Sequence, residues 1–432
     1  MKLHLRRSFT HIGTFSALLC LLWLGLAVSA VIPNDALYRR FSQSALSYGK
    51  AEPFQFHNGD RWNAIADNYA DSILLNVAWN MGNGAPLTAV IDTDYYDGEA
   101  QGENVGLYLT VTEGRAPNTD YTRYWHGSAM FLRPLHLVMS VSGIRMLGFS
   151  VFLLLLVLTA ILLARSRHGD IALLLLLSLA AVQVWNIRLS MEYQPAFLLT
   201  FLLCPLYLLL ERRGDRWLTL LSTAGGTAIA FFDFLTTETL TLLIPLLLVL
   251  AVQAKEGRLA SGRDTLLLLL RCGLAWCCAY AGCFLVKWTA ASIVTGENAF
   301  ALALSAVAER TGSASSLEYD APTSIFSAIT ANLTMVFGGT ARVQLPRVLT
   351  GLAGTLGLLL SCWYLFRRKP VCRGAALPLF LTGAVVFLRY LVLNNHSYLH
   401  EFFTYRALAA PILALLLVLR LNTGLPEKRG RR

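Results

Sequence analysis

Ten apolar runs divide this chain, at about 12–32, 144–164, 171–187, 196–210, 217–232, 239–253, 266–288, 348–366, 375–393 and 407–421. Each is near the length needed to cross about 30 Å of hydrocarbon. The polar connections between them alternate in character. Basic residues fill the N-terminus (Lys2, Arg6, Arg7), Arg165/Arg167, Arg212/Arg213/Arg216, Lys255/Arg258/Arg263, Arg367/Arg368/Lys369/Arg373 and the tail Lys428–Arg432. By the positive-inside rule these connections are cytoplasmic. The pattern therefore predicts an all-α polytopic membrane protein of about ten transmembrane helices with both termini in the cytoplasm.

The cytoplasmic connections are short, about six to eleven residues, and too small to hold a catalytic domain. The organisation reads as an N-terminal transmembrane anchor (1–32), an extracytoplasmic loop domain (33–143), a multispan membrane domain (144–421) with a second outer segment (289–347), and a basic tail (422–432). The first loop reads as mixed α/β. A helix is expected over 60–82, where Trp62, Ile65, Ile73, Leu74 and Trp79 give an amphipathic face that docks on the membrane domain with its acids at the rim. A turn-rich acidic stretch (92–104) follows, then the strand-like "VGLYLTVTEG" (105–114) and a helical approach to the second span. In the second outer segment, "SIFSAITANLTMVFGG" reads as an interfacial helix lying on the membrane.

Composition sharpens this picture. With 55% hydrophobic and 14% charged residues and a mean hydropathy of +0.53, the chain is not an ordinary soluble globule. The net charge of +10 reports topology and anionic headgroups, so lipid is an expected partner and nucleic acid is not. The first 30 residues, ending in "AVSA", also resemble a secretory signal, but an apolar run of that length favours an uncleaved anchor. All eight cysteines (Cys20, Cys204, Cys272, Cys277, Cys278, Cys283, Cys362, Cys372) fall in spans or cytoplasmic turns, which leaves no extracytoplasmic disulfide framework.

Chemistry is expected on the outer face, where nucleotides are not normally available, and the chain has neither a phosphate-binding GxxxxGK[ST] loop nor a GxGxxG turn after a strand. In "DNYAD", Asp67 and Asp71 stand at i, i+4 and share a helix face. "TRYWHGSAMFLRPL" (122–135) sets Arg123, His126 and Arg133 among aromatic residues, and "FFDFLTTET" (231–239) puts Asp233 and Glu238 in a short turn at membrane depth. Lys287 lies near the outer end of the seventh span, where it could snorkel or meet a lipid phosphate. Arg188 and Glu192 read as a rim ion pair. "NNHSYLHEFFTYR" gathers His396, His400, Tyr405 and Arg406 before the last span. A zinc site would need a third ligand beyond the two histidines, so no metal or other cofactor is expected, although a divalent cation is compatible. The acids Asp92, Asp94 and Asp97 read as a solvated turn.

In the order of these parts the chain resembles bacterial multispan membrane proteins with a C-type (GT-C-like) glycosyltransferase fold, which use polyprenyl-phosphate sugars outside the cytoplasm. The resemblance rests on a single span and an acidic outer loop, "YWHG" with "LRPL" before span two, "FDFLTT" in a short outer turn, "KW" late in span seven, and "NHSYLHEFFTYR" before the last span. It implies a sugar transferase with a lipid-linked donor and an extracytoplasmic glycan or protein acceptor. A loop carboxylate would take the acceptor proton and cations would stabilise the departing phosphate. Family enzymes place a catalytic carboxylate soon after the first span. Asp35 is nearest, but it lacks the adjacent acid frequent in that family. The expected base is therefore Asp71 or Asp67, with Asp35 behind them. Arg133, Lys287 and Arg406 are expected on the phosphate, and His126, His396, His400, Tyr405 and Asp233 around the substrate. The alternatives are a transporter or flippase of lipid-linked glycans, which should carry polar residues through the midplane, and a non-catalytic membrane assembly protein.

The topology has a direct test. An Ala100→Cys variant in a background without other cysteines should react with a membrane-impermeant maleimide in intact cells. Labelling only after the membrane is permeabilised would invert the assignment.

Overall fold

The computed structural model describes residues 2–57, 60–312, 326–336, 356 and 373–422. It is an all-α multi-pass membrane protein. Its helices are α1 (Lys2–Ala30), α2 (Asn34–Gly49), α3 (Asn68–Asn80), α4 (Pro86–Ala89), α5 (Gly102–Glu113), α6 (Ala129–Leu135), α7 (Val141–Arg165), α8 (Gly169–Ala181) and α9 (Gln194–Leu210). They continue with α10 (Asp215–Phe232), α11 (Leu240–Lys255), α12 (Gly262–Thr295), α13 (Ala299–Arg310), α14 (Ser327–Val336), α15 (Arg373–Val392), α16 (Asn394–Leu399), α17 (Glu401–Thr404) and α18 (Ala409–Asn422).

Among the described residues, six helices are long and apolar enough to cross a membrane: Ser8–Ala30, Val141–Arg165, Gln194–Arg213, Gly262–Thr295, Gly374–Val392 and Glu401–Asn422. They coincide with six of the ten expected spans. The third, fifth and sixth are helical too, but α8 and α11 are shorter, and α10 carries a polar "STAGGT" centre. The eighth, 348–366, lies outside the described residues apart from Leu356. Helix α11 is the axis of the bundle. It is buried almost throughout and packs against α9, α15 and α18, as expected of a helix that is apolar all round.

The 33–143 segment is more helical than its sequence suggests. Residues 60–67 form strand β2 (Asp60–Asp67) rather than the start of a helix, and β2 pairs antiparallel with β1 (Phe54–His57). Helix α3 begins only after Asp67, whose Oδ1 accepts from the Ala70 amide at 2.9 Å as its N-cap. Residues 105–114 belong to α5 rather than to a strand. Leu107, Thr110 and Val111 form a buried face, and α5 packs on α2 and α3. The only other pairing among the described residues is the short β3 (Asp94–Tyr95) with β4 (Thr119–Asp120). The expected interfacial segment is helical as α14, but it buries Ala328, Ala331, Asn332 and Met335 against α16, α17 and the turn at 405–408. It is a packed helix rather than one resting on a membrane surface.

Two buried cations join this segment to the bundle. Arg133 on α6 donates to Ser29 O (3.0 Å), Ala78 O (2.6 Å), Asn34 Oδ1 (3.1 Å) and Ile32 O. It thereby caps the end of α1 and the end of α3 at once. Burial lowers this guanidinium to about 10, so it stays charged at neutral pH. Gly82 makes room for it, since a Cβ there would collide with both the guanidinium and the Asn34 side chain. Lys287 on α12 donates to Ile91 O at 2.6 Å and lies over the Trp125 ring at 5.5 Å.

Removing the bolt should loosen this junction. Arg133→Met strips charge-assisted bonds from several buried carbonyls and should cost about 3 kcal/mol, and Gly82→Ala should be destabilising by steric conflict. Both should lower the melting temperature of the purified protein in detergent. An unchanged melting temperature in both variants would show that the junction does not depend on Arg133.

Candidate functional site

Among the described residues, Asp71 is the most heavily bonded carboxylate. Fully buried, it accepts from Tyr48 Oη (2.8 Å), Ser190 Oγ (2.7 Å) and the Met191 amide (2.8 Å), and it pairs with Arg145 at 2.6 Å. Both of its oxygens are engaged, so it anchors structure and is not placed to take a proton. Helix α7 supplies Arg145 and the turn before α9 supplies Ser190 and Met191. The contact therefore locks that turn against α3.

The lock sets the spacing of two other acids. Asp67 lies one helical turn before Asp71, and Glu192 follows Met191. Asp67 is 3% exposed. Its Oδ1 caps α3, and among the described residues its Oδ2 has no hydrogen bond. Burial, with Asp71 beside it, raises the carboxyl to about 7 against the opposing cap bond and Arg145. Glu192 is raised well above the usual carboxylate range by burial and then by Asp67, Asp71 and Asp233. Its Oε2 is shut off from solvent without a partner. No Arg188–Glu192 ion pair forms among the described residues; Arg188 stands elsewhere on the 184–189 turn.

From this pair a continuous chain of contacts runs round the site. Tyr193, adjacent to Glu192, donates to Ile65 O of β2 (3.3 Å) and packs on Phe403 with ring centroids 5.6 Å apart. Phe403 stacks on His400 (5.3 Å), and His400 meets His396 (4.6 Å). His396 Nε2 lies 3.1 Å from Leu235 O, and the neighbouring Phe234 ring packs on His126 at 5.3 Å. His126 in turn packs on Tyr121 (4.9 Å), over which the Arg123 guanidinium lies at 4.1 Å. Glu192 also raises the Tyr121 phenol electrostatically, and these side chains together form the circuit.

Three guanidiniums face this circuit without an acid partner among the described residues. Those of Arg123 and Arg310 flank the Tyr124 ring at 5.5 and 5.9 Å. Arg406 is 1% exposed and lies over Tyr193 at 5.1 Å. It donates to Asn63 O (3.0 Å) and Phe402 O (3.2 Å). The Nε of all three is buried without a hydrogen bond. The histidines are neutral at pH 7. Burial lowers His126 to about 3 and His400 to about 4, and burial together with His400 and Arg389 lowers His396. His126 Nδ1 is also buried without a partner.

The residues singled out from sequence thus separate. Asp67, His126, His396, His400 and Arg406 share the circuit, and Tyr405 lies beneath Arg406 at 4.9 Å. Asp233 borders it and is held by Thr236 through its amide at 2.9 Å and its hydroxyl. Arg133 and Lys287 are not phosphate ligands in this arrangement, because both are fully buried against backbone carbonyls. Asp35 is exposed on the first turn of α2, outside the circuit. Sequence reasoning passed over Arg310 and Tyr193. It also passed over Arg145 and Arg389, although a charge inside an apolar run signals a paired role. Arg389 pairs with Glu238 at 3.0 Å and donates to Ser397 Oγ at 2.7 Å, fixing the 233–238 turn against α16. No group of three or more His, Cys, Asp or Glu side chains among the described residues could hold a metal ion.

Comparison of the chain with protein-family models, with curated proteins and with solved structures finds no match.

The raised Asp67 carboxyl has a measurable consequence. The unfolded chain ionises this group near 3.8, whereas the folded protein holds the proton up to about 7. The stability linked to the protonated form is therefore full below the unfolded value and is lost as pH rises through the folded one. An asparagine amide at this position cannot ionise, keeps the N-cap and relieves Glu192 of a charge. Asp67→Asn should therefore melt higher than the wild type at pH 8 and at the same temperature at pH 4. A difference that does not change with pH would mean that Asp67 titrates normally.

Proposed function

We propose that this chain is an integral membrane glycosyltransferase of the C-type kind, which transfers a sugar from a polyprenyl-phosphate donor to an extracytoplasmic glycan or protein acceptor. One observation carries the reading. A carboxylate with raised proton affinity and one oxygen free of hydrogen bonds, Asp67, lies in the same circuit as three guanidiniums that lack an acid partner. In this scheme the bundle has ten spans with both termini in the cytoplasm, and the circuit opens to the outer side, where lipid-linked sugars stand in for nucleotide sugars.

In the proposed step the acceptor hydroxyl oxygen bonds to the anomeric carbon of the donor sugar while the bond from that carbon to the phosphate oxygen breaks. The acceptor proton passes to Asp67, and the electron pair leaves with the polyprenyl phosphate. Arg406, with Arg123 and Arg310, stabilises that phosphate, a planar guanidinium being suited to two phosphate oxygens at once. The neutral histidines and Tyr193 line the sugar. Burial, with Asp71 beside it, holds the Asp67 proton affinity high.

A transfer assay with purified protein and polyprenyl-phosphate sugars tests the roles. Asp67→Asn should lower turnover by about 10²–10⁴-fold with the fold intact. Arg406→Lys keeps the charge but loses the fork, and should cost on the order of tenfold to a hundredfold. Near-wild-type transfer by Asp67→Asn and Glu192→Gln together would eliminate this pair as the base.

A further inference from the structure

The end of the bundle remote from the 33–143 segment carries a second feature, separate from the circuit. There α1, α10 and α12 enclose an open cavity of about 670 Å³, a volume typical of small-ligand sites. Its origin is local. Ala275, Ala279 and Gly282 recur on one face of α12, and their small side chains leave room beside Phe15 of α1, whose ring stands against Gly282. The interior is apolar, formed by Phe15, Leu220 and Leu274. One wall is polar, where His11 Nδ1 and Thr223 Oγ1 meet at 2.7 Å.

The mouth is cationic. Arg216 and Arg271 line it, with Asp215 as the one acid there. Arg216 reaches Thr10 Oγ1 at 3.4 Å, and among the described residues neither arginine forms an ion pair. Lys2, Arg6 and Arg7 belong to the same end of α1 by sequence. Two unpaired cations above an apolar slot that opens among membrane-facing helices match an amphiphile with an anionic head and a hydrocarbon tail.

We propose that this groove binds an anionic phospholipid, with its phosphate on Arg216 and Arg271 and one acyl chain against Phe15 and the small-residue face of α12. The cations select the headgroup and the apolar slot holds the tail. The site does not depend on the transferase reading, since it shares no residue with the circuit.

Native mass spectrometry of the full chain in detergent, titrated with phosphatidylglycerol or phosphatidylcholine, tests it. The wild type should bind one phosphatidylglycerol in preference to phosphatidylcholine. Arg216→Gln with Arg271→Gln should lower that first binding by about 25-fold, roughly fivefold for each basic side chain near an anionic headgroup, and should leave phosphatidylcholine unchanged. The corresponding pair of lysine substitutions should restore most of the preference. Ala275→Phe fills the slot and should weaken both lipids. Because Arg216 and Arg271 are exposed, the glutamine pair is expected to fold normally. Wild-type preference for phosphatidylglycerol in the glutamine pair, or equal binding of the two lipids by the wild type, would overturn the proposal.

Discussion

The ion pair between Asp71 and Arg145 is the constraint on which the candidate site depends. Taking two opposite charges out of water is costly, and their attraction repays that cost only when the remaining lone pairs and protons are also satisfied. Here Tyr48, Ser190 and the Met191 amide complete the carboxylate, so that four separate stretches of chain must meet at one point. Asp67 and Glu192 are each tied by the backbone to one side of that junction. Burial raises the proton affinity of both, and their placement is inherited from a neighbour whose own oxygens are all engaged.

The buried and half-buried arginines fall into two groups, and the difference is chemical. Arg133, Arg145 and Arg389 spend their donors on backbone carbonyls, carboxylates and hydroxyls, so each closes a gap between elements. Arg123, Arg310 and Arg406 keep a buried Nε unpaired. A guanidinium without a full set of acceptors is costly in a folded protein, and three of them around one circuit make a region that favours an anion. Position along the chain does not reveal this distinction; the acceptors do.

The membrane helices were legible because the hydrocarbon thickness is written directly into the length of the apolar runs, and six of those runs stand as long apolar helices. The loop segment was less legible. "VGLYLTVTE" is rich in β-branched residues, yet its burial falls on Leu107, Thr110 and Val111, a helical face held by α2 and α3. Residues 60–67 read as amphipathic helix because the pairing with Phe54–His57, which holds them extended, comes from a stretch without a strong pattern of its own. The aromatic and histidine clusters of the sequence lie along one run of packed side chains that includes His126, His396, His400 and Arg406. Arg133 and Lys287 lie against backbone carbonyls, and a cation near a membrane surface reads the same in sequence whether it meets a phosphate or a carbonyl. Asp67 and Asp71 share one motif, and only the partners of each, one bond for Asp67 and a full set for Asp71, separate anchor from candidate base.

The charge state of the circuit follows from these assignments. Its histidines are neutral at pH 7, since burial outweighs the one hydrogen bond each of His126 and His396 and nothing opposes it at His400. Its two acids resist ionisation, Asp67 through burial and then Asp71, and Glu192 through burial and then Asp67 and Asp71. Three guanidiniums stand there without an acid partner among the described residues, so positive charge exceeds negative before any ligand arrives. In the proposed reaction a phosphate supplies the missing negative charge. Neutralised by the guanidiniums, that phosphate leaves an ionised Asp67 carboxylate able to take the acceptor proton as the leaving group departs.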